Sequence, residues 1–109
     1  MIGSDIIRGH LDAIILRLID EKDRYGYEIS NEIAARTENK FQIKEATLYA
    51  VFQRLVKKGF IESYLGNISF GSRRRYYCIT GPGRAYLNEE VKNWRNAREI
   101  IDIFMEGMQ

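Results

Sequence analysis

Apolar residues recur at intervals of three and four through the N-terminal part of the chain, the period of a helix with a buried face. Leu11, Ile14, Ile15 and Leu18 form one stripe of a helix expected from residue 4 or 5 to residue 20, and Ile6, Ala13 and Leu16 add apolar surface on another side. A helix serving one core needs a single stripe. Two apolar faces imply two neighbours, one of them a second subunit, which makes Leu11 and Ile15 candidate interface residues. Residues 21–24 read as a charged turn, and a second helix follows over 27–36 with Ile29 and Ile33 inward. The polar segment 37–43 reads as the turn of a helix-turn-helix unit, with Phe41 and Ile43 packed beneath it.

A third helix is expected over 45–58, ending at Gly59, a residue type favoured just beyond a helix. Leu48, Val51, Phe52 and Leu55 make its core stripe. A rotation of about 100° per residue then sends Ala46, Tyr49, Ala50, Gln53 and Lys57 outward. Residues 60–65 and 74–79 read as two strands around a tip at 66–72 that contains Gly, Asn and Ser. Thr80 is placed to cap a last helix from residue 82 or 83 to about 106, with Pro82 tolerated in its first turn. Leu87, Trp94, Ile101 and Met108 recur every seven residues there, Val91, Ile100, Phe104 and Met105 widen the seam, and Arg98 interrupts it. The expected fold is mainly α with a small β-hairpin. Residues 1–80 make a winged helix-turn-helix, and residues 81–109 a long C-terminal dimerisation helix.

Charge changes the picture from architecture to function. The net charge is only +2, but the 36 residues from Lys40 to Arg75 hold eight basic and two acidic side chains, a net of +6. The remainder holds nine basic and thirteen acidic. A basic helix beside a basic hairpin is the electrostatic footprint of a duplex-DNA reader. Ala46, Thr47, Tyr49, Ala50 and Gln53 could approach base edges, Gln53 pairing with adenine and the methyl groups touching thymine. Lys44 and Arg54 would reach phosphates, which fixes register without reading sequence. Of the triplet at the hairpin tip, Arg73 and Arg74 are the expected contacts; strand alternation allows at most two of the three to share a side. Tyr25, Tyr27, Tyr76 and Tyr77 could form a base-stacking platform, but such residues more often fill a small core. Tyr25 could also reach a phosphate.

At 109 residues the chain is one domain with a modest core, for which self-association is a source of stability. A single cysteine, Cys78, rules out an internal disulfide and suits a reducing compartment. No run has the length of a membrane span and the N-terminus does not read as a signal peptide, so a cytoplasmic protein without a membrane partner is expected. His10 and Cys78 are too few ligands for structural zinc, and no nucleophile, base and orienting acid can be assembled. No enzyme, metal or cofactor is expected.

The motifs resemble the PadR family of bacterial transcriptional regulators. They are Arg8-Gly9-His10-Leu11-Asp12, Tyr25-Gly26-Tyr27-Glu28-Ile29, Glu45-Ala46-Thr47-Leu48-Tyr49 with Arg54-Leu55, Gly59-Phe60-Ile61, Ser72-Arg73-Arg74-Arg75-Tyr76-Tyr77, Ile79-Thr80 and Trp94. Together they span about residues 8–104, in the pattern of the short subfamily and of its multidrug-sensing members. Ala50 departs from the pattern, since many relatives have proline there. The resemblance implies a homodimeric repressor of a transporter or detoxification operon. It also implies a pore at the dimer centre where Trp94 of each subunit stacks on a planar ligand; the alternative is that Trp94 is a seam residue and binds nothing. Arg98 lies one turn beyond Trp94, and Asp12 could supply a carboxylate nearby or be consumed by pairing with Arg98, so an aromatic neutral or anionic effector fits as well as a cationic dye. The expected dimer interface is Leu11, Ile15, Leu87, Val91, Trp94, Ile101, Phe104 and Met105. The expected partners are a palindromic double-stranded operator and a second copy of the chain. A winged-helix adaptor that meets an acidic protein partner, without specific DNA binding, is the alternative function.

Overall fold

Gly9 splits the expected first helix into α1 (Ser4–Arg8) and α2 (Leu11–Glu21). Glycine is a poor helix residue. The chain turns here through bonds from the Gly9 amide to the Asp5 carbonyl (3.2 Å) and from the His10 amide to the Ile7 carbonyl (2.9 Å). The computed structural model describes residues 4–69 and 72–107. Part of the hairpin tip and Met108, the last residue of the heptad series, lie outside the described residues.

α2 is the centre of the fold. Leu11, Ile15, Leu16, Leu18 and Ile19 are all buried within one chain. Most of the apolar surface of the helix is therefore covered by the chain itself, because α2 packs on two later helices, the sheet and the C-terminal helix, while Ala13 and Ile14 stay half-buried. Leu11 and Ile15 are core residues rather than subunit-interface residues, and so is Leu87, at 3% exposure.

The charged segment after α2 is not only a turn. Arg24–Tyr25 form a two-residue strand, β1, and Arg24 is buried at 5% exposure. Its Nε donates to the Leu18 carbonyl (2.8 Å) and its Nη2 to Glu21 (3.0 Å), with Glu32 also in ion-pair range. Desolvating a guanidinium requires that kind of pairing. α3 (Gly26–Arg36) begins where the Glu28 carboxylate accepts from the Tyr25 amide (3.2 Å). At the turn, Thr37 Oγ1 donates to the Ile33 carbonyl (2.8 Å) and accepts from the Phe41 amide (3.2 Å). Glu38 and Asn39 take left-handed conformations there.

α4 (Glu45–Lys57) ends at Gly59, whose φ of 77° suits glycine. It buries Leu48, Val51, Phe52 and Leu55, and it runs unbroken through Ala50. The strands β2 (Ile61–Ser69) and β3 (Ser72–Ile79) are longer than the apolar alternation predicts and pair antiparallel, Ile61 opposite Ile79 and Tyr64 opposite Tyr76. β1 joins the other edge of β3, giving the order β1-β3-β2. On the core face Tyr77 stacks on Phe52 with ring centroids 4.0 Å apart.

α5 (Gly81–Met105) starts where Thr80 Oγ1 accepts from the Gly83 amide (3.1 Å). A side chain at Gly83 would collide with the Phe60 carbonyl, so this glycine lets the helix seat directly on the chain entering β2. Tyr86 stacks on Phe60 at 4.7 Å, and Leu87 enters the core. At 1.5 Å per residue the helix is about 37 Å long, and it gives the molecule a long axis of 57 Å. No helix among the described residues is long and apolar enough to cross a membrane.

Candidate nucleic-acid interface

The outward side of α4 divides into a free strip and two anchored flanks. Ala46, Thr47, Ala50, Gln53 and Lys57 are exposed, and Lys44 precedes the helix in extended conformation, also exposed. Tyr49 is half-exposed, but its hydroxyl lies against Gly26, where an added Cβ would sit 3.0 Å away, and its ring meets Phe52 edge-on at 5.6 Å. Arg54 is held differently from the sequence expectation. Both its Nε (3.1 Å) and its Nη2 bond to the carboxylate of Asp12 on α2. That pairing raises the Arg54 pKa further. Two of its five N–H donors are thus engaged on α2, while the side chain keeps 45% of its surface exposed. Asp12 is likewise not paired with Arg98, which lies 3.8 Å from Asp102 on its own helix.

Consecutive strand residues project to opposite faces, so Arg73 and Arg74 do not act side by side. Arg73 is exposed toward the tip. The Arg74 guanidinium lies 4.4 Å over the ring of Tyr25, and Arg75 Nη1 donates to Ser63 Oγ (3.0 Å). Tyr25 meets Tyr76 edge-on at 5.5 Å, and Tyr76 stacks on Tyr64 at 5.7 Å. The Tyr64 hydroxyl donates to Asp23 (2.6 Å), which together with desolvation pushes its pKa up to about 12. These rings are occupied by one another and by Arg74, so they stiffen the hairpin rather than offer open faces to bases. Cys78 packs on β3 with its thiol pKa pushed up, chiefly by burial.

A groove of about 660 Å³ opens between α1, α2, the α3–α4 turn and α5. Ile6, Ile14, Phe41, Val91 and Trp94 give it an apolar lining, and Arg17, Arg36, Arg95 and Glu90 lie along it. Trp94 is partly exposed there, with the His10 ring edge-on at 5.2 Å. Of the three expected effector residues only Trp94 borders this groove. Beyond it α5 leaves Ile100, Ile101, Ile103, Phe104 and Met105 exposed, the last three at 63–73%.

Residues 15–89 match the transcriptional regulator PadR-like family. The chain belongs to that family. An uncharacterized protein from Lysinibacillus sphaericus is 69% identical over all 109 residues of both chains. A transcriptional regulator from Clostridium thermocellum is 44% identical, covering 97% of this chain and 100% of its own, with a TM-score of 0.90. A PadR family regulator from Clostridium difficile is 34% identical over 88% of this chain and 98% of its own, with a TM-score of 0.76. PadR-like proteins are DNA-binding transcriptional regulators, and in this chain α4 and the β2–β3 hairpin occupy the third-helix and wing positions of the winged-helix fold. The partnership of Asp12 with Arg54 was not legible, because 42 residues separate them. The only sequence signal was that Asp12 and Arg54 both flank apolar stripes instead of standing opposite them.

Proposed function

We propose that the protein is a homodimeric, ligand-responsive repressor that reads a palindromic double-stranded operator with α4. The observation that carries this reading is the exposed strip of Ala46, Thr47, Ala50 and Gln53, flanked by Lys44 and Lys57, within the basic segment from Lys40 to Arg75. Small and amide side chains admit a helix to the major groove and make base-edge contacts. Tyr49 contributes ring area at the edge of that strip. Arg73 supplies a wing contact, and Arg74 a second one from the opposite face. Residues 1–80 form the reading unit and α5 the dimerisation arm.

Exposed apolar surface of the kind found on Ile101, Phe104 and Met105 marks an interaction site, and a second copy would cover it together with Val91 and Trp94. Two copies place two α4 helices on half-sites about one helical turn apart. The apolar groove beside Trp94 suits a planar aromatic effector, and because Arg17 and Arg36 along it are paired with Glu21 and Glu32, its apolar lining favours a neutral one. An effector bound between subunits would change operator affinity by preferring one separation of the reading helices. The regulated operon is then one that removes or detoxifies such molecules.

Selection of bound fragments from genomic DNA, followed by footprinting with and without aromatic compounds, tests the reading. Protection of two symmetric half-sites is the expected result. Equal binding to promoter fragments and scrambled duplexes at moderate salt would favour the adaptor alternative instead.

A further inference from the structure

With about 100° per residue and the row Leu48, Val51, Phe52, Leu55 pointing inward, Ala46, Ala50 and Gln53 face directly away from the core. Tyr49 leaves the helix on one flank and Arg54 on the other. Each is tied to a different neighbour: the Tyr49 hydroxyl lies on Gly26 at the start of α3, and Arg54 is bidentate on Asp12 at the start of α2. Contacts on opposite flanks resist rotation of α4 about its axis in both senses. Such rotation matters for base reading. A roll of about 20° moves a side chain 5–6 Å from the axis by about 2 Å, more than a hydrogen bond to a base edge tolerates.

We propose that Asp12 and Arg54 are positioning residues for operator reading: the ion pair between α2 and α4 sets the roll at which the strip meets the bases, and Arg54 is not a phosphate contact. The inference rests on the specific DNA binding argued above. It has a counterintuitive sign. Removing a carboxylate from a protein that approaches a polyanion strengthens binding to any duplex on charge grounds alone. Loss of roll control instead lowers the preference for operator over other DNA.

The test compares Kd for an operator fragment recovered from genomic selection with Kd for a scrambled duplex of equal length. It is made for the full chain and for Asp12→Asn, Arg54→Gln and the double variant, each confirmed as folded by its thermal melt. The expected result is an operator preference reduced roughly fivefold to tenfold in each single variant, comparable to one mismatched base pair. The double variant should be no worse than either single one, as for residues acting through a shared contact. The salt dependence of Arg54→Gln should match wild type. Asp12→Glu, which keeps the charge, should regain part of the preference and carries the same comparison if the asparagine variant does not fold. A salt slope lowered by about one per subunit in Arg54→Gln makes Arg54 a phosphate ligand and overturns the proposal. So does an unchanged preference in Asp12→Asn. A wild-type protein with no preference at all overturns the DNA-reading function itself, and that result is visible before any variant is made.

Discussion

In α5 the turn carrying Leu87 is sealed against α2 and Phe60, whereas the turns carrying Ile100 to Met105 lie open, although apolar residues recur along both halves. Periodicity reports that a face is apolar; it does not report what covers it. The first half is covered by its own chain, so its burial contributes to the folding of one protomer. In the second half Ile103 and Phe104 keep 72% and 73% of their surface. Full burial of such a side chain contributes about 1.5–3 kcal/mol, a gain the isolated chain does not collect. The body of the protein thus supports itself, and the arm has free energy to gain only from a partner.

The largest test of that contrast is Leu87→Ala. Truncating a leucine at 3% exposure should cost about 2–5 kcal/mol of stability, read as a lower denaturant midpoint at any protein concentration. A loss well under 1 kcal/mol would show that the root of α5 also depends on an outside neighbour. Gly83→Ala comes next. The obstacle to its methyl group is the backbone carbonyl of Phe60, which cannot swing aside like a side chain. The helix must shift, at about 1–3 kcal/mol. Because the arm extends from that seat, the variant should also weaken operator binding in a gel-shift titration.

The ion pairs repeat the contrast at a smaller scale. In the body, the Glu21 carboxylate accepts from Arg36 (2.6 and 3.0 Å) and from Arg24 (3.0 Å), which holds its pKa down from an ordinary value near 4.5 to about 2. A depressed folded-state pKa gives stability that is present above pH 4.5 and lost as pH falls toward 2. Urea midpoints should therefore drop between pH 5 and pH 2, and Glu21→Gln should flatten that part of the profile. In the arm, Arg98–Asp102 and Lys92–Glu89 are exposed pairs at 3.7–3.8 Å. Pairs of that kind contribute little, so Asp102→Asn should leave the same profile in place.

How much of this was legible in the sequence follows from the same physics. The order of the main helices and the hairpin could be read because each carries its own stripe or alternation, as Leu48-Val51-Phe52-Leu55 does. The outward strip of α4 followed from helical geometry once that stripe was recognised. β1 was missed because a two-residue strand has no period, and Arg24 reads as surface until Leu18, Glu21 and Glu32 surround it. Leu11, Ile15 and Leu87 were assigned to a subunit interface because one helix can be covered from several sides by later parts of the same chain. Arg54 was read as a phosphate contact and Asp12 as an effector carboxylate or a partner of Arg98, because a long-range ion pair leaves no local pattern.

The smallest effect on the protomer belongs to Phe104→Ser, and it is the most informative about the arm. Surface substitutions away from packed features change stability by about 0.5 kcal/mol or less. With 73% of its surface exposed, Phe104 should obey that rule whenever the chain is alone. The unfolding midpoint of the variant, extrapolated to high dilution, should therefore coincide with that of wild type. Sedimentation at micromolar concentration should tell the opposite story, with wild type paired and the variant single. Operator affinity should fall with pairing, since one reading helix reaches only one half-site. If Phe104→Ser instead lowers the midpoint at high dilution, the arm is supported in cis and the division of α5 into a self-supporting root and a partner-dependent end does not hold.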